Sequence, residues 1–349
     1  MTQDAGTDHW TIAFAFVATN NNFVLERGEK VFKQTSPVIK LPAVATEDDH
    51  LALLGVLNSS TACFWLHQVS HNKGEGGGAR VEAGYAAMGS EAWKNSYEFA
   101  GARLEQFPLP ETLPLEFGRD LDALAQQLAV ASTREEDERI RGQMIALQEE
   151  LDWDVYHRYG LLTDQQVTDL VAESASVPNL HLGERAFEIV IARRVAEGTL
   201  QTEWFSRFGG RQTTEIPKEW PEDYRRVVER RIEVIESNRN IGLIERPECK
   251  RRWQYEPWEV REARRLTTWL LGRCEERSLW YDGGEPRPMT VNRLADRLRA
   301  DAKVVAAARQ LKGPDADLAD VLKEVVADEH VPFLAAYRYK PSGLDKRAQ

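Results

Sequence analysis

Three cysteines in 349 residues, Cys63, Cys249 and Cys274, are too few and too scattered for a disulfide framework. Their scarcity points to a reducing cytoplasm. No apolar run approaches the roughly 18 residues that a membrane-spanning helix needs, so no membrane partner is expected. Met1 to His9 is polar and acidic, without a basic start or a cleavage pattern, which argues against a signal peptide. The chain has no Pro-Pro pair, no Walker A sequence and no G-x-S-x-G elbow. It shows no fixed-period repeat. It also lacks an excess of positive charge. Its 45 Lys and Arg stand against 56 Asp and Glu, a formal net charge of -11. That balance opposes indiscriminate binding to a polyanion and requires any DNA contact to be focal or shared.

What is present is ample material for folding. The chain is 42% hydrophobic with ten tryptophans and twelve phenylalanines, which excludes disorder and suffices for one large core or two ordinary ones. Ile12, Phe14 and Phe16 alternate with smaller residues, a strand signal. Asn20 to Asn22 is turn chemistry, and short strands are expected at Phe23 to Leu25, Val31-Phe32 and Val38 to Leu41. Thr46-Glu47-Asp48-Asp49 has capping-box spacing and opens a helix from about Asp48 to Val69. In its middle sit Asn58, Ser59, Ser60 and Thr61, poor interior helix residues. Either the helix breaks there and a serine caps a second one, or the quartet faces polar partners. His71 to Gly78 reads as a flexible loop. Phe107-Pro108-Leu109-Pro110 closes this unit.

Beyond it the pattern is helical. Leu121, Leu124 and Leu128 form one apolar stripe, and Ile140, Met144, Leu147 and Leu151 a second. Thr163 to Gln166 repeats the box-like spacing. Further helices are expected around Glu184 to Ala196, Asp223 to Asn240, Trp258 to Arg277, Val291 to Leu298, Val304 to Leu311 and Leu318 to Ala327. The fold class is therefore α+β. An α+β domain over 1–112 precedes a helical pair at 113–160 and a mainly helical domain at 161–349.

Candidate chemistry is sparse. Cys63, His67 and His71 fall at i, i+4 and i+8 of a helix, but lack a fourth ligand or a Cys-x-x-Cys, so a buried cysteine beside two end-of-helix histidines is the simpler reading. Gly74 to Ala79 formally satisfies G-x-G-x-x-A but follows a helix rather than a strand. His67, Gln68, His71, Asn72 and Lys73, with Arg80, Lys94 and Arg103 among the aromatics Trp93, Tyr97 and Phe99, can donate to phosphates and base edges. The alternative is a polar loop over a packed aromatic core. Arg225-Arg226, Arg230-Arg231, Lys250-Arg251-Arg252, Arg261, Arg264 and Arg265 are interleaved with glutamates and tryptophans. They read as a solvated, self-paired surface.

Three separated segments carry a resemblance: Val31 to Pro42, Leu51 to Leu66, and Tyr97 to Pro110. Asp328 to Tyr339 adds a fourth. Together they resemble the carboxy-terminal part of the PglX family, the adenine-specific DNA methyltransferases of phage-growth-limitation (type 2 BREX) defence systems. The resemblance implies double-stranded DNA as partner, with target recognition in residues 1 to about 110. It also implies adenine methylation that marks host DNA, and S-adenosylmethionine as the cofactor of the full-length proteins. Family members carry their catalytic domain upstream. Here neither the cofactor turn nor the Asn/Asp-Pro-Pro-aromatic tetrapeptide that holds a flipped adenine occurs. No catalytic residue can be transferred, no cofactor is expected on this chain, and truncation at both ends is the expectation. Protein partners implied are an upstream methyltransferase domain and other defence proteins. A non-catalytic interaction module of such a complex is the alternative reading.

Overall fold

The computed structural model describes residues 10–28, 32, 35–75, 91–172, 177–253 and 256–327. The chain divides into two compact units, Met1–Tyr255 and Glu256–Gln349.

The first unit opens with β1 (Thr11–Phe14), β2 (Val17–Ala18), β3 (Phe23–Glu26) and β4 (Val38–Ile39). β1 is central in an antiparallel sheet of order β3-β1-β4, with Ile12 opposite Leu25 and Phe14 opposite Phe23. The expected alternation places Ile12, Phe14, Phe23 and Leu25 in one core with Leu51, Leu54, Phe99 and Phe107. Val31 lies outside the described residues. α1 (Glu47–Leu57) starts at the expected box: Thr46 Oγ1 accepts from the Asp49 amide, and Asp49 accepts from the Thr46 amide.

The long helix then breaks. α2 (Ser60–Val69) is a separate element capped by Ser59. It leads into β5 (His71–Glu75), which pairs with β6 (Asn95–Glu98) in a second antiparallel sheet of order β2-β6-β5. α3 (Gly101–Leu104) follows. Sequence periodicity missed β5 because it is too polar to alternate; its strand state comes from pairing with β6.

α4 (Leu115–Val130) packs on α1 at glycines. A Cβ at Gly118 would stand 2.0 Å from the Leu51 carbonyl oxygen, and one at Gly55 2.9 Å from that of Pro114. α5 (Arg134–Arg158) is the spine of the unit. Leu151 and Val155 enter the core of the strands. Ile145, Trp153 and Tyr156 enter a second core with Phe187, Trp204, Tyr224 and Ile232. Around it lie α6 (Asp164–Leu170), α7 (Ala186–Ala196), α8 (Trp204–Phe208), α9 (Glu222–Ser237) and α10 (Arg239–Ile244). Because α5 serves both cores, the segment limits drawn at 112 and 160 fall inside one unit.

The second unit contains α11 (Trp258–Cys274), α12 (Arg277–Trp280), a hairpin of β7 (Tyr281–Asp282) and β8 (Glu285–Pro286), then α13 (Val291–Leu298), α14 (Ala302–Lys312) and α15 (Leu318–Val325). Trp280, Leu294, Leu298, Val304 and Leu322 form its core. Gly283 and Gly284 turn the hairpin with φ of 58° and 96°, the left-handed conformations glycine permits. The architecture is the expected α+β, with three-stranded antiparallel sheets among helices in the first unit and a hairpin among helices in the second. Among the described residues no helix is long and apolar enough to cross a membrane.

Candidate nucleic-acid interface and the polar junction behind it

The break between α1 and α2 is a hydrogen-bonded joint. Asn58 acts as a strand partner for β3: its Oδ1 accepts from the Phe23 amide and its Nδ2 donates to the Phe23 carbonyl, both at 3.0 Å. Arg251 donates to the same Oδ1 at 2.9 Å. Asn21 donates to the carbonyls of Leu57 and Ser59. Ser59 caps α2, while the Ser60 amide and hydroxyl donate to Asp152 at 2.8 and 2.6 Å. Both alternatives posed for the quartet therefore hold. A serine caps a second helix, and Asn58 and Ser60 meet polar partners.

Behind this joint lies a buried ionic cluster. Lys250 is 0% exposed and its ammonium stands 2.8 Å from Asp152, 3.0 Å from Glu245 and 3.3 Å from Glu149. Burial alone would push the ammonium down; the three carboxyl groups outweigh it and hold Lys250 above its ordinary value. Tyr156 donates to Glu245 at 2.6 Å. Two further buried pairs, Arg185–Glu188 and Arg231–Glu150, lie in the same unit.

This corrects the reading of the basic segments as a solvated surface. That reading holds for Arg226 with Asp223, Arg230 with Glu233 and Arg264 with Glu256, which pair in exposed positions. It fails for Arg231, Lys250 and Arg261, which are buried, and for Arg251 and Arg252, which are largely covered. Burial pushes Arg251 down to about 10. Arg231 lies on the inward face of α9 beside Val228 and Ile235. Lys250 follows a turn whose Cys249 is itself buried. The available signal was the set of acids flanking Trp153 and Tyr156 on α5, which need cations once the aromatic residues take them inward.

The residues expected to touch DNA separate into groups. Gln68, at the end of α2, and His71 and Asn72, on β5, are exposed. Arg103 is exposed on α3. Lys73 is bound to Glu98 across the sheet at 2.5 Å. Lys94 binds Glu203 at 2.7 Å and Glu91 at 3.4 Å. His67 stacks on Tyr97 with ring centroids 3.9 Å apart and planes 13° apart. Burial, then the charge of Arg252, push its imidazole down to about 4, so it is neutral at physiological pH. Arg80 lies outside the described residues. His71 stands beyond the end of α2, so the helical face proposed for Cys63, His67 and His71 does not continue to it. Cys63 and His67 remain neighbours at 3.6 Å.

Residues 76–90 lie outside the described residues. Glu75 pairs with Asn95 at the β5–β6 edge. On the far side, Glu91 accepts from the Thr202 hydroxyl and the Glu203 amide, and Trp93 packs edge-on against Trp204 at 5.6 Å. Contrary to expectation, the glycine run from Gly74 does not follow a helix directly but strand β5; β5 is an antiparallel edge strand, unlike the parallel strand that precedes a cofactor-binding glycine turn, and Gly76 to Ala79 lie outside the described residues.

A family model described as a domain of unknown function, DUF7008, matches residues 144–349, and the chain belongs to this family. The match begins within α5 and takes in the Lys250 cluster. The chain is also similar to the "Adenine-specific methyltransferase PglX" of Streptomyces coelicolor, 48% identical over 364 aligned residues. The alignment covers 99% of this chain and 30% of the relative, in the carboxy-terminal part of the latter. The chain thus spans about 30% of the length of the curated relative it matches. No solved structure matches it.

Proposed function

We propose that this chain is the DNA-reading and carboxy-terminal portion of a site-specific adenine DNA methyltransferase acting in phage defence in the cytoplasm. In this reading S-adenosylmethionine and the methyl-transferring residues lie on other polypeptide. The observation that carries the proposal is the 48% identity across 99% of the chain to an adenine-specific methyltransferase, joined to the absence of the adenine-holding tetrapeptide from this sequence.

The α2–β5 edge supports the reading chemically. Gln68, His71 and Asn72 offer amide and imidazole donors, and Arg103 on α3 adds a guanidinium. Lys73 and Lys94 are already held by glutamates and so less available to phosphates, which makes modest, focal affinity the expectation for this chain alone.

Co-expression with the portion of the Streptomyces coelicolor relative that this chain does not match should give adenine methylation in host DNA that neither part gives alone. Equal methylation by that portion without this chain would overturn the proposal. A defence-complex docking module would instead leave methylation unchanged and retain other defence proteins on purification.

A further inference from the structure

Charges around Lys250 do not balance. One ammonium faces three carboxyl groups, all within 0–2% exposure. Donors are shared unevenly among them. Asp152 accepts from the Ser60 amide and hydroxyl, the Gln148 amide and Lys250. Glu245 accepts from Tyr156 and Lys250. Among the described residues Glu149 has only Lys250, at 3.3 Å from Oε1 and 3.4 Å from Oε2, and its buried Oε1 makes no hydrogen bond there.

Other charged groups that Glu149 feels are engaged elsewhere. At the start of α7, Arg185 is bound to Glu188. On α9, Arg231 is bound to Glu150 and stands beside Tyr224. Arg251, which follows Lys250 and feels Asp152, is bound to Asn58. A buried carboxylate with so few donors, beside two others, disfavours its ionised form.

We propose that Glu149 holds a proton through the mildly acidic range and gives it up around neutrality, and that this proton latches α5 to the 245–251 segment, which Arg251 and Asp152 tie to the α1–α2 joint. Burial first, then Glu245 and Asp152, outweigh Lys250 and Arg185 and bring the Glu149 carboxyl from its ordinary 4.5 up to about 7. When the proton leaves for solvent, Glu149 becomes a buried charge beside Asp152 and Glu245, and the repulsion among three carboxylates outweighs its added attraction to Lys250 and opposes the packing of α5 on the 245–251 segment. The inference does not depend on what the chain binds. Its sign is fixed by linkage. The folded chain holds one proton more than the unfolded chain between these two values, so this stabilisation is complete below the lower value and is lost as pH rises to the upper one.

Unfolding of the full chain and of Glu149→Gln is measured by denaturant between about pH 5 and pH 8, together with the infrared carbonyl stretch of a protonated carboxylic acid. Relative to Glu149→Gln, the wild-type unfolding constant should rise by up to about tenfold per pH unit towards pH 7 and level off above it. The infrared band should be present in the wild type below that midpoint, lost above it, and missing from Glu149→Gln. Parallel pH curves for the two proteins, or a protonated-acid band that Glu149→Gln retains, would overturn the latch. Should Glu149→Gln not fold, Glu245→Gln tests the same point. Removing a like charge should move the midpoint of the band to lower pH, and an unmoved midpoint contradicts the proposal.

Discussion

Replacing Asn58 by alanine tests whether the α1–α2 joint holds the strands to the helices. The side chain makes two hydrogen bonds to the Phe23 backbone and accepts one from Arg251. Phe23 is 2% exposed, so truncation leaves its amide and carbonyl without partners and largely without water. Each stranded buried group costs about 1–3 kcal/mol. Two such groups, with partial hydration of the new cavity, give a destabilisation of about 3–5 kcal/mol. At roughly 2–4 °C per kcal/mol for a domain of this size, the melting temperature should fall by on the order of 10 °C. Urea unfolding followed by circular dichroism measures the free energy, and hydrogen exchange at the Phe23 amide reports the local event. A loss below about 1 kcal/mol, with Phe23 still protected, would refute the reasoning, since it would mean β3 does not need the amide.

Other consequences follow from single contacts. Gly118→Ala should destabilise by at least about 2 kcal/mol in thermal unfolding, because its methyl group would press into the Leu51 carbonyl and force α4 away from α1; an unchanged melting temperature would mean the helices are not in that contact. His67, held down to about 4 by burial, should show no imidazole titration by NMR near its ordinary value. The unfolded chain takes up that proton and the folded chain does not, so stability should fall as pH drops from about 6.5 towards 4. Phe in place of His67 should remove this acid sensitivity while keeping a ring against Tyr97, and an unchanged slope would place the sensitivity elsewhere.

The helical pair was legible because Leu121, Leu124, Ile140 and Met144 recur at helical spacing, and Thr46 and Thr163 announced their helices by capping chemistry that the structure repeats. What stayed hidden depends on partners distant in sequence. β5 is polar and becomes a strand only by meeting β6. Asp152 and Lys250 look like solvent residues until the fold brings them to 2.8 Å in its interior. The expected DNA-contacting set was assembled from neighbours in sequence. The fold then took Lys73 to Glu98, Lys94 to Glu203 and His67 to Tyr97, leaving Gln68, His71, Asn72 and Arg103 outward. Pairing across strands and between helices cannot be read from local pattern alone.

We propose that the α2–β5 edge of this chain contacts duplex DNA. Fluorescence anisotropy of a labelled duplex, titrated with the whole chain over a series of salt concentrations, tests it most directly. Affinity should fall as salt rises, and Arg103→Ala combined with Asn72→Ala should weaken binding more than Arg264→Ala. Binding that ignores salt, or that responds to Arg264→Ala but not to the combined Arg103 and Asn72 change, would contradict the account.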